Sequence, residues 1–158
     1  MEKIAADIPN CTHAILYARE AHAGAVIPAH KTLKDKRNCA SLLKTELDEP
    51  RTVLVDGVEG AAHLAYGRMP NAIYIIDRER IVRLKALWSN AMTTHKALEA
   101  ILAGKPAKIK SYFKPAKPWV VMSTAKRAGK GLGKDFFHGV PWLIWNALIK
   151  NNIRTFLK

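Results

Sequence analysis

Between Thr12 and Leu102, short β-rich runs alternate with segments at helical spacing, and this alternation constrains the fold more than any other feature. Thr12 to Ala18 (THAILYA) and Thr52 to Asp56 (TVLVD) read as strands. Asn71 to Asp77 (NAIYIID) and Ile81 to Leu87 (IVRLKAL) read as two more, joined into a hairpin by Arg78-Glu79-Arg80. Leu33, Ala40, Leu43 and Leu47 keep helical spacing up to the stop at Pro50. Thr32 with Asp35 resembles a capping box, with Asp in place of the usual Glu. Residues 1–8 resemble the end of a helix stopped by Pro9, and Gly60 to Tyr66 is a short helix or turn. Met92 to Leu102 is a helix, with Leu98, Ile101 and Leu102 on its apolar side and Gly104 as its stop. The expected class is α/β.

Charge divides the chain at Gly104. Residues 1–104 carry 14 basic and 12 acidic side chains, whereas residues 105–158 carry 12 basic side chains and one acid, Asp135. Almost all of the net +13 therefore belongs to the last third. We divide the chain into a domain, 1–104, and a basic Pro/Gly/Lys-rich extension, 105–158. The extension reads as a linker or arm, interrupted by the apolar run Trp119-Val120-Val121-Met122. Apolar residues from Phe136 to Leu148 keep helical spacing, with a helix start near Pro141. Trp142, Trp145 and Ile149 widen the apolar face, and Lys150, Arg154 and Lys158 follow. Such an amphipathic helix can lie on an anionic membrane surface or dock on the domain. The clustered lysines with Tyr112, Phe113 and Trp119 can alternatively contact nucleic acid through phosphates. No apolar run approaches the roughly 18–20 residues of a membrane-spanning helix. The mixed-charge start shows no signal peptide, and Cys11 and Cys39 are too few for a disulfide framework. A reducing, cytoplasmic setting is expected.

The order helix, strand, helix, strand, hairpin, helix is that of a thioredoxin-like domain without its first strand. Met69-Pro70 stands directly before the hairpin, where such folds place a cis-proline; a trans proline in an ordinary turn is the alternative. Three segments resemble the iodothyronine deiodinases. Tyr17-Ala18-Arg19-Glu20-Ala21-His22 matches the family's Tyr-x-x-Glu-Ala-His pattern, and Ile27-Pro28-Ala29-His30 its Ile-Pro-x-His. Asp56 to Gly67 is similar to the family segment ending in Ala-Tyr-Gly, here Ala65-Tyr66-Gly67. The segments occur in the family's order, and the resemblance as a whole covers about residues 1–102. The expected fold is thus a thioredoxin-like three-layer α/β/α domain, N-terminally truncated, with the basic C-terminal extension.

The resemblance implies thiol-dependent reductive dehalogenation or related redox chemistry. Its substrate would be a halogenated aromatic or a peroxide, with an external thiol reductant and no bound cofactor. It assigns proton relay to Glu20 and His22. These would share a face if the strand continued through them; a solvated loop pair is the alternative. His30 is a substrate-side or loop-ordering histidine, or a turn residue before the cap. Tyr66 packs near the site floor, beside Pro70. The family's first strand and nucleophile have no counterpart here, which reads as truncation, with Met1 an internal methionine and the domain without activity unless that segment is supplied; a strand supplied by another chain or by the extension, or a different fold despite the motifs, are the alternatives. Loss of a central strand exposes sheet edges and favours association, including a homodimer. Trp119–Met122 is the internal candidate for a replacement strand. Cys11 lies at the pole opposite Glu20, and Cys39 shares a helix face with Leu42 and Leu43 as a buried, inert thiol. No Cys/His pair has zinc-ligand spacing, and Gly129 to Lys134 lacks the spacing of a phosphate-binding loop. The competing class is a non-catalytic protein that binds through the extension.

Overall fold

Each alternation in the sequence becomes a short element in the computed structural model, which describes residues 2–20, 23–110, 112–113, 117–129, 141–142 and 144–157. The class is mixed α/β. The elements are α1 (Glu2–Asp7), β1 (Ala14–Tyr17), α2 (Leu33–Thr45), β2 (Thr52–Val55) and α3 (Ala61–Ala65). There follow β3 (Ile73–Ile76), β4 (Val82–Ala86), α4 (Ala91–Leu102) and α5 (Pro118–Ala128). A π-helical segment (Ile144–Asn151) leads into α6 (Asn152–Phe156). The described strands form two separate two-stranded sheets, β1 with β2 and β3 with β4. Two compact units result: Met1–Arg68 with Ala116–His138, and Met69–Pro115 with Gly139–Lys158. Each therefore takes in part of the basic extension.

In the first unit β1 and β2 are parallel, with Ala14 opposite Thr52 and Tyr17 opposite Val55. Parallel neighbours need a long crossover, and α2 supplies it. The capping box is present. The Asp35 N–H donates to Thr32 Oγ1 at 3.1 Å, and the Thr32 N–H to Asp35 Oδ2 at 2.9 Å. Ile4, Ile8, Ala23 and Ala40 form a small core. Among them α2 also buries a charge: Lys36 is 1% exposed, and its Nζ donates to the Gly57 carbonyl at 2.7 Å. A buried ammonium needs such a partner.

Asp56, at the end of β2, is buried. Its Oδ1 accepts from the Ala62 N–H at 3.1 Å and its Oδ2 from the His63 N–H at 2.8 Å. The N-cap of α3, Gly60, has no side chain to do this, so Asp56 satisfies the first turn from outside the helix.

One expectation is corrected here. Trp119–Met122 is not a replacement strand but lies within α5. Proline is well suited to a first helical turn, and Pro118 opens the helix. Strand β1 stops at Tyr17 and Glu20 stands in a loop, while His22 lies outside the described residues. The Met69–Pro70 bond is trans.

In the second unit β3 and β4 form the expected antiparallel hairpin. Its turn is closed by the Arg80 N–H to Asp77 O and the Asp77 N–H to Ile81 O. Alternation along β4 buries Leu84 and Ala86. They share this core with Ala97 and Leu98 of α4, which also buries Thr94. Leu102, expected on the apolar side, is instead half exposed. Trp88 meets Phe113 edge to face, with ring centroids 4.4 Å apart. Asn152 clamps the Phe113 backbone, accepting its N–H at 2.8 Å and donating to its carbonyl at 3.3 Å. Of the helix expected from Phe136, residues 136–140 lie outside the described residues, and helix is present at Pro141 and Trp142. Among the described residues no helix is long and apolar enough to cross a membrane.

Candidate functional site

The carboxyl end of a parallel strand is where α/β sheets usually place chemistry, and β1 ends at Tyr17. Beyond it the chain leaves the ladder, so its polar groups need other partners. Tyr17 Oη donates to Glu20 Oε2 at 3.3 Å and lies 3.1 Å from His30 Nε2. The Glu20 N–H also donates to His30 Nε2, at 3.2 Å. The phenol thus stands between a carboxylate and an imidazole. His30 reaches them because the loop turns back on itself, with the Gly24 N–H bonded to Ile27 O at 2.8 Å.

The electrostatics set which groups carry protons. Burial pushes the Tyr17 phenol well above its ordinary range; the neighbouring Glu20 charge, Cys39 and the bond to Glu20 push it the same way. Burial is also the main reason that His30 is held below its usual value, with Lys36 adding to it and Glu20 and Asp35 opposing. At neutral pH the phenol is therefore protonated and the imidazole neutral. Accepting at Nε2 puts the ring proton on Nδ1. Nδ1 is buried and has no hydrogen-bond partner among the described residues.

Beside this cluster, within the same unit, is a cavity of about 310 Å³. Tyr17, Glu20 and Ile27 line one part, Cys39 and Leu43 of α2 another, and Arg127 of α5 a third. Arg127 Nη2 donates to Glu46 Oε2 at 2.7 Å, which ties α5 to the end of α2. Gly129 follows, with φ at +79°. A Cβ there would lie 2.8 Å from Val26 Cγ2, so only glycine lets the chain approach this loop so closely. Cys39 is half-buried in the cavity wall rather than fully buried. Its thiol is pushed up by burial first, then by Glu20 and Asp35, so it remains a thiol at neutral pH.

Of the residues proposed from sequence, Glu20 and His30 are brought together. His22 lies outside the described residues. Tyr66 is the C-cap of α3 and 40% exposed. Pro70 belongs to the second unit, next to Asn71, whose Oδ1 accepts from Ser89 Oγ at 2.8 Å. Sequence reasoning did not place Tyr17, Cys39 or Arg127 in the site. Tyr17 had a signal, standing three residues before Glu20 in the quoted segment; Arg127 had none, because its neighbours come from α2 and β1. Among the described residues no three His, Cys, Asp or Glu side chains are grouped to hold a metal ion. Comparisons with protein-family models, curated proteins and solved structures find no match.

Proposed function

We propose that residues 1–104 are a thioredoxin-like, deiodinase-related domain whose chemistry is thiol-dependent reduction of a halogenated aromatic or a peroxide. The observation that carries this reading is the hydrogen-bonded Tyr17–Glu20–His30 cluster, at the carboxyl end of β1 and beside a cavity of ligand size. Two features add support. The element order from α1 to α4 is that of the fold, and β1 and β2 are parallel neighbours with α2 as their crossover.

In reductive dehalogenation a thiolate takes the halogen as a sulfenyl halide, while the ring carbon gains a proton. A second thiol then releases halide and forms a disulfide, which external thiol reduces. The cluster would serve the proton step. The protonated phenol hands its proton toward the substrate, and the phenolate is reprotonated from water or the incoming thiol, relayed over His30 Nε2 or the Glu20 carboxylate. The nucleophile is not assigned to Cys39, which is held as a thiol.

The test is halide release from an iodinated phenol with excess dithiothreitol, alongside peroxide consumption. It uses the 158-residue chain and a longer chain with a cysteine-bearing strand-and-loop segment ahead of Met1. We expect turnover in the longer chain, and losses of about 10²-fold or more in Tyr17→Phe and His30→Ala. Turnover unchanged by either substitution, or none with either substrate, refutes the reading.

A further inference from the structure

We infer that the described C-terminal residues, Pro141, Trp142 and 144–157, are a docking surface for an anionic lipid bilayer. One side of this segment is already engaged: Asn152 holds the Phe113 backbone, and the Phe156 ring lies 5.5 Å from that of Tyr112. Those contacts leave a series of its apolar side chains exposed. Trp142 is 49% exposed, Trp145 60%, Ile153 51% and Leu157 82%. Ile144, Leu148 and Ile149 are exposed as well. So much contiguous apolar surface on one short segment marks a place where something else binds.

Charge selects the occupant. Residues 136–158 contain no acidic side chain, and the exposed Lys150 and Arg154 stand among the apolar residues. A second copy of this segment would meet it with like charge. Nucleic acid would satisfy the cations and stack on tryptophan, but would leave the isoleucines and leucines without an apolar partner. An anionic membrane surface satisfies both. Headgroups meet Lys150 and Arg154, tryptophans take the interface, and the aliphatic side chains enter the acyl boundary. The remaining basic side chains of 105–158 add long-range attraction to the same surface.

The test is co-sedimentation of the full chain with vesicles of phosphatidylcholine containing about 30 mol% phosphatidylserine, against pure phosphatidylcholine. Binding to the anionic vesicles is expected. Trp145→Ser with Ile153→Ser should weaken it about tenfold or more at unchanged circular dichroism. Lys150→Glu with Arg154→Glu should weaken the preference for phosphatidylserine several-fold. Brominated acyl chains should quench the tryptophan emission of the wild-type chain, a readout that needs no variant to fold. Four results overturn the inference: no sedimentation with anionic vesicles, no quenching, sedimentation that Trp145→Ser with Ile153→Ser leaves unchanged, or binding confined to a single-stranded oligonucleotide.

Discussion

Asp56→Ala should destabilise the first unit by about 3 kcal/mol, although Asp56 touches no substrate-facing group. The carboxylate is 5% exposed and accepts two N–H groups of the first turn of α3. Burial works to raise its pKa, but the N–H donors of His63, Ala62 and Gly57, with the Lys36 charge, outweigh it and hold it below the ordinary carboxylate value. Hydrogen bonds to a charged acceptor contribute about 1.5–3 kcal/mol each. Two would reach about 3–6, but α3 is five residues long and can fray to let its donors reach water, which removes about half. The alanine variant also deprives the buried Lys36 ammonium of its nearby negative charge. Asp56→Asn keeps one acceptor oxygen and should cost about 1–2 kcal/mol. Urea titration followed by circular dichroism measures both, and thermal midpoints should fall by about 2–4 °C per kcal/mol. Lys36→Met combined with Asp56→Ala should cost less than the sum of the two, by about 1 kcal/mol, because the groups are neighbours. An alanine variant within about 0.5 kcal/mol of wild type, or an asparagine variant equally destabilised, would refute the reasoning.

Three further predictions concern other parts of the first unit. Bonding to the Arg51 side chain draws Glu49 from 4.5 down to about 2 against the cost of burial. A depressed carboxylate contributes stability that is full above its unfolded value and is lost as pH falls through the folded one. Stability should therefore drop by about 1–2 kcal/mol between about pH 4.5 and 2, allowing for solvent screening, and Glu49→Gln should flatten that limb of a pH–urea series. Gly129→Ala should cost about 1–3 kcal/mol through its positive φ and the Val26 contact, and adding Val26→Ala should recover only the steric part, as read from thermal midpoints. In a Cys11→Ser background, Cys39 should react slowly with a chromogenic disulfide at pH 7. Glu20→Gln should speed it several-fold, and an unchanged rate would show that the Glu20 charge does not reach the thiol.

Local chemistry was legible in the sequence wherever the partners are chain neighbours. Thr32 and Asp35 are three apart, and their box forms as the pattern predicts. The strand pair around Arg78–Arg80 and the helices ending near Leu47 and Leu102 follow from spacing and breakers in the same way. The site was half legible. Glu20 and His30 stood out in quoted segments, but the phenol that joins them comes from Tyr17, thirteen residues from His30. Periodicity was misleading for Trp119–Met122: a short apolar run suits strand or helix equally, and packing on α2 through Arg127 and Glu46, 81 residues apart, accompanies the helix. Lys36 shows the same limit. Its sequence neighbours mark it as a solvated helix position, yet the Gly57 carbonyl, 21 residues away, and the Asp56 charge allow it to be buried. The sequence alone thus determined element type, element order and where the charge lies, because those depend on residues a turn or two apart. Only the tertiary structure decided that Tyr17 bridges Glu20 and His30 and that α5 walls the cavity, because each depends on which distant groups meet.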